Sequence, residues 1–138
     1  MRTMAMTLTI CGLLLAAVGL LPPSPAEAIT ITPSGAELTV DYDEPTTSAD
    51  GTVLDDLKIT TIWYQVQGTP APVKALEVAA TKAVGGGHIS KPITVPTSPG
   101  KLIFVDIWAT ATDLSGNESA KSNIVAQRVD LLPPAAPK

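Results

Sequence analysis

His88 is the chain's one histidine, and its one cysteine, Cys11, lies inside an apolar N-terminal run. A Cys–His nucleophilic pair, or a zinc site of ordinary composition, therefore lacks its parts within a single chain. A serine and an aspartate could still join His88 in a hydrolase triad, but no G-x-S-x-G turn presents such a serine. His88 also follows Gly85-Gly86-Gly87, a loop composition, and a lone histidine without an orienting partner is a poor general base. The sequence is thus read as non-enzymatic.

Asp113, Ser115 and Asn117 have the i, i+2, i+4 oxygen spacing that opens a calcium loop, with Glu118 adjacent. A full loop needs a glycine after the third ligand and a bidentate acid further on. Here Gly116 precedes Asn117, and after Glu118 no acid follows until Asp130. The segment is read as a turn, Asp50, Asp55 and Asp56 as a solvated loop, and no metal or other cofactor is expected. Asn117-Glu118-Ser119 spells a glycosylation sequon and falls in the same turn.

The elements that would position these residues are extended. Ile103, Val105, Ile107, Ala109 and Ala111 recur at a period of two, which puts them on one face of a strand. Asp106, Thr110 and Thr112 point the other way, as do Phe104 and Trp108. Asp113, Ser115, Gly116 and Asn117 supply turn chemistry, and a strand from Asn123 to Val129 follows. Leu38, Val40 and Tyr42 alternate with polar neighbours, and Ile59 to Val66 is rich in β-branched and aromatic residues with apolar groups on both faces. Shorter strands are expected at Ile29–Thr32, about Lys74–Ala80, and Ile93–Val95, the last fenced by Pro92 and Pro96 as suits a sheet edge. Asp50-Gly51 marks a turn in the polar stretch Glu44 to Leu57. No segment keeps a helical period, so the fold class is all-β, with strand spacings typical of a sandwich.

Arg2, the apolar run Leu8 to Leu21, the breakers Pro22, Pro23 and Pro25, and Ala26-Glu27-Ala28 have the layout of a signal peptide cleaved after Ala28. That leaves 110 of 138 residues and no cysteine, so the domain must be held by its own core. Removing Arg2 and Glu27 changes 9 basic and 13 acidic side chains to 8 and 12, a net charge still of −4. The basic residues are scattered singly from Lys58 to Arg128, which disfavours nucleic acid and anionic membranes as partners. Leu131 to Lys138, rich in Pro and Ala, reads as a flexible tail.

Three stretches carry a resemblance to the fibronectin type III domain of secreted bacterial proteins: Glu37 to Leu57, Thr60 to Val66, and Trp108 to Ser119. Tyr42 and Pro45 match the aromatic and proline that close the family's second strand. Ala111, Asp113, Gly116, Asn117 and Ser119 match its A-x-D-x-x-G-N-x-S turn. Val105 departs from the pattern, standing where the family usually has tyrosine, and no Arg-Gly-Asp tripeptide is present. The resemblance covers about Ala36 to Val129. It implies a seven-stranded immunoglobulin-like Greek-key sandwich in which Trp63 neighbours Trp108 on paired third and sixth strands.

Fold alone does not give function. The sequence is read as a secreted extracellular or periplasmic module acting by protein binding or assembly, with self-association into a larger extracellular or envelope structure. Trp63, Phe104 and Trp108 are the candidate contact surface, as an exposed aromatic strip; the other reading is that one of the tryptophans belongs to the core, since phase alone does not fix a bulged strand. Ile29, Thr30, Ile31 and Thr32 are the candidate strand-exchange segment, able to add to a neighbour's sheet edge. The alternative is a glycan-binding accessory domain that uses the tryptophans.

Overall fold

The alternation along Glu37 to Asp43 shows how the chain builds its layers. In the computed structural model, which describes residues 29–138, Leu38, Val40 and Tyr42 are buried and their neighbours are not. The proposed leader and its cleavage site at Ala28 lie outside the described residues. Three strands, β1 (Thr30–Ser34), β2 (Glu37–Asp43) and β5 (His88–Thr94), form one antiparallel sheet in the order β1-β2-β5. Four others, β3 (Leu57–Val66), β4 (Val73–Ala79), β6 (Leu102–Asp113) and β7 (Val125–Asp130), form a second in the order β4-β3-β6-β7. The described residues contain no helix, and so none long and apolar enough to cross a membrane. The architecture is an all-β sandwich.

The core lies where the inner faces meet. Leu38, Val40, Ile89 and Ile93 come from the smaller sheet, and Ile62, Tyr64, Val105, Ile107 and Val129 from the larger. Burying each aliphatic side chain of this kind contributes about 1.5–3 kcal/mol. The two sheets are also tied by a hydrogen bond inside the core, Tyr42 Oη to Thr60 Oγ1 at 2.6 Å. Burial raises the Tyr42 phenol above its ordinary pKa, against the lowering effect of the Thr60 bond, and the nearby Glu44 carboxylate raises it further.

Several element boundaries differ from the sequence reading. The fifth strand begins at His88 rather than Ile93, because Asp41, Tyr42 and Asp43 of β2 pair with Ser90, Ile89 and His88. Pro92 sits inside it, tolerated because β5 is an edge strand. The first strand likewise runs through Pro33, on the opposite edge. The segment Val73–Ala79 is a strand with a bulge where its register against β3 shifts between Ile62 and Trp63. The seventh strand starts at Val125, not Asn123, and the chain between the Asp113–Asn117 turn and β7 follows its own course. Ser119 N donates to Ala111 O and Ser122 N to Ala109 O, both at 2.8 Å, so this stretch runs beside β6 beyond the end of β7.

Candidate functional site

The outer face of the four-stranded sheet holds the aromatic residues, and pairing across β3 and β6 sets Trp63 opposite Trp108. Phe104 lies farther along the same face of β6, opposite Arg128 of β7, and is 46% exposed. Trp108 corrects the expectation of an exposed aromatic strip, because only 3% of it is accessible. The stretch from Glu118 to Lys121 lies beside it, and the Lys121 ammonium sits 4.1 Å above its ring centroid in a cation–π contact. For the same reason Ile107, Trp108, Ala109 and Thr110 are buried in succession, although a half-covered strand would alternate.

Trp63 is half-buried and fixed through its indole. Its Nε1–H donates to Thr110 Oγ1 at 3.0 Å, and the Thr110 hydroxyl donates onward to Glu118 Oε1 at 2.6 Å. Lys74 lies 5.9 Å from the Trp63 centroid and is paired with Glu77 at 2.6 Å. Together Trp63, Pro72, Trp108, Thr110, Glu118 and Lys121 line a shallow depression of about 290 Å³. Trp63 Nε1, the Thr110 hydroxyl and one Glu118 oxygen form a single hydrogen-bonded chain along this hollow, with the Lys121 ammonium at its edge over Trp108.

His88 stands on the outer face of the other sheet. Its Nδ1 is 2.7 Å from Asp43 Oδ1, and its Nε2 faces Asp41 Oδ1 at 3.7 Å. A general base needs its second nitrogen directed at the group it deprotonates; here that nitrogen faces a second carboxylate, and the side chain is 64% exposed. Among the described residues no group of three His, Cys, Asp or Glu is placed to hold a metal ion. Asp113 closes the β6 turn instead, its two oxygens accepting the Asn117 backbone N–H and side-chain amide, each at 2.9 Å. Those bonds, the side-chain one foremost, hold its carboxyl below the usual range. Asp50 is lowered likewise by the Thr52 hydroxyl and backbone N–H.

The sequence reading did not single out Glu44. Its carboxylate is buried, 3% exposed, and accepts from Thr81 N at 2.8 Å, from the Thr81 hydroxyl, and from Gly87 N at 3.0 Å. It clasps the connection that carries the chain from β4 in one sheet to β5 in the other. Gly85 and Gly87 allow this approach: a Cβ at Gly85 would stand 1.8 Å from the Pro45 carbonyl oxygen, and one at Gly87 2.1 Å from Thr81 Oγ1. The glycine run is therefore a packed crossing of the chain, not a loose loop.

The candidate strand-exchange segment is docked in its own fold, with Thr30 and Ile31 paired to Asp41 and Val40 of β2. Ile29 is 2% exposed within the core. Comparison with protein-family models, with curated proteins and with solved structures gave no match.

Proposed function

We propose that this chain is a secreted, non-catalytic binding or assembly module of the fibronectin type III kind, working through a protein contact that includes a second copy of itself. The three- and four-stranded sheets and the Ala111–Ser119 turn motif support that fold type. The layout Arg2, Leu8 to Leu21 and Ala26-Glu27-Ala28 supports secretion.

The observation that carries the contact surface is Phe104 with its neighbour Leu102, 46% and 38% exposed on the outer face of β6. Beside them on β7, Arg128 and Asp130 form an exposed ion pair at 2.6 Å. Aromatic and arginine side chains within a polar rim are the composition enriched at interface centres. Strand exchange through Ile29–Thr32 ranks behind this face, since the segment would first have to leave β2. Glycan binding also ranks behind, because Lys121 covers the Trp108 face and leaves Trp63 as the one partly open indole.

Sedimentation of residues 29–138 over a wide concentration range tests the proposal. The expected result is a mass that rises with concentration and returns to monomer in Phe104→Ser. A monomer at every concentration would remove self-association, and a rising mass unaffected by Phe104→Ser would move the contact off this face. Glycan-array binding lost in Trp63→Ala would favour the second reading.

A further inference from the structure

We infer that the α-amine of Ile29 is a structural group of the mature protein, docked on the Asn123 side chain after the leader is removed, so that the new N-terminus latches β1 to the connection preceding β7. The inference rests on the secretion reading above, which places cleavage at Ala28–Ile29.

The geometry begins with a residue that is unusual for a chain terminus. Ile29 is 2% exposed and belongs to the core cluster with Val40, Tyr42 and Ile107. Its nitrogen donates to Asn123 Oδ1 at 3.0 Å, and Asn123 Nδ2 reaches back to the Ile29 carbonyl at 3.5 Å. One side-chain amide thus engages both backbone polar groups of residue 29, as a neighbouring strand would, across 94 residues of sequence. Among the described residues no backbone pairing joins this end of β1 to the larger sheet. Asn123 supplies that join.

Cleavage changes the donor. A signal peptidase and water break the Ala28–Ile29 peptide bond; Ala28 leaves as a carboxylate, and the Ile29 nitrogen, protonated, becomes an ammonium. A peptide N–H has one hydrogen to give, whereas an ammonium has three, and its bond to oxygen is shorter and about twice as strong. There is room for such a group: a cleft of about 260 Å³ opens beside Ile29, with Asp43, Ser122 and Asn123 among its lining residues, the Asp43 carboxylate itself paired with His88 at 2.7 Å and the Ser122 hydroxyl accepting from Ala109 N at 2.9 Å.

The test compares two proteins: residues 29–138 with a free Ile29 amine, released from a fusion that leaves no residue behind, and the same chain with Gly-Ser ahead of Ile29. Each is made with Asn123, Asn123→Ala and Asn123→Asp, and unfolding midpoints are measured at pH 6. Asn123→Ala is expected to lower the midpoint in both. Asn123→Asp is expected to raise it only with the free amine, where it creates an ion pair, and to lower it in the extended protein. The charges of Asp43 and Lys121, which line the same cleft, act in both backgrounds and cancel in the comparison. Equal shifts from Asn123→Asp in the two proteins would overturn the latch while leaving secretion standing. A secreted product whose mass shows a start other than Ile29 would overturn the cleavage assignment instead.

Discussion

Glu44 and Asp113 perform the same task at two places in this sandwich, and their surroundings differ. Each is a carboxylate at a strand end whose oxygens are filled by neutral donors from a loop: Thr81 and Gly87 for Glu44, Asn117 for Asp113. Glu44 is closed off from solvent between the two sheets, whereas the Asp113 turn lies at the surface. At the surface water can take over a lost hydrogen bond. In the interior, removing the acceptor leaves each donor stranded, at about 1–3 kcal/mol apiece. The β4–β5 crossing is thus held by interactions the fold cannot easily replace, and the β6 turn by ones it can.

The sharpest way to break the buried member of this pair is Gly85→Ala. The added Cβ would stand 1.8 Å from the Pro45 carbonyl, and the backbone φ of +67° is strained for any L side chain. A loss of at least about 3 kcal/mol is expected, because backbone rather than a flexible side chain must move. Urea unfolding measures it, and a loss below about 1 kcal/mol would mean that the crossing is loosely packed. Glu44→Ala comes next, at about 2–4 kcal/mol, since it strands the Thr81 and Gly87 donors. Glu44→Gln should recover little of this, because its NH₂ would face a donor. Gly87→Ala drives a methyl into Thr81 Oγ1 and to 2.8 Å from Glu44 Oε2, so its cost should not add to that of Glu44→Ala.

The contrast also accounts for what was legible in the sequence. Strands such as Glu37–Asp43 and Leu102–Asp113 announce themselves by a local period of two, which one face on a core is enough to produce. The start of β5 was missed because His88 and Ser90 face outward and Lys91, on the same face as Ile89 and Ile93, is a charged and exposed residue of an edge strand, so Ile89 is the one apolar residue on that stretch. Strand phase could not say which tryptophan, if either, is buried, because the cover of Trp108, Glu118 to Lys121, comes from a stretch that the sequence presents as a hairpin turn. Glu44 had no local signal at all. Its partners lie 37 and 43 residues away, and a lone acid in a polar loop looks like any other.

Tyr42 and Thr60 offer a neutral buried pair between these extremes. Tyr42→Phe leaves the Thr60 hydroxyl without its partner and should cost about 1–2 kcal/mol. It should also change the alkaline limb. The Tyr42 pKa is raised in the folded state, so its contribution is complete below the unfolded value of about 10 and is lost as pH rises through the folded one. The native protein should therefore lose stability on passing into that range more steeply than Tyr42→Phe. Parallel curves for the two would place the phenol in contact with water.

Asp113→Ala should have the smallest effect and the opposite pH dependence. The folded-state pKa of Asp113 is lowered by the Asn117 bonds, so its contribution is complete above the unfolded value of about 3.9 and disappears as pH falls through the lower folded value. At neutral pH the variant should unfold at a slightly lower temperature than the native chain, and below the folded pKa the two melting curves should coincide. Because Asn117 is neutral, the difference at pH 7 should persist in concentrated salt, which screens separated charges but leaves a direct hydrogen bond in place. If salt removed it, Asp113 would be acting through long-range charge on the β6 turn, and its likeness to the Glu44 clasp would fail.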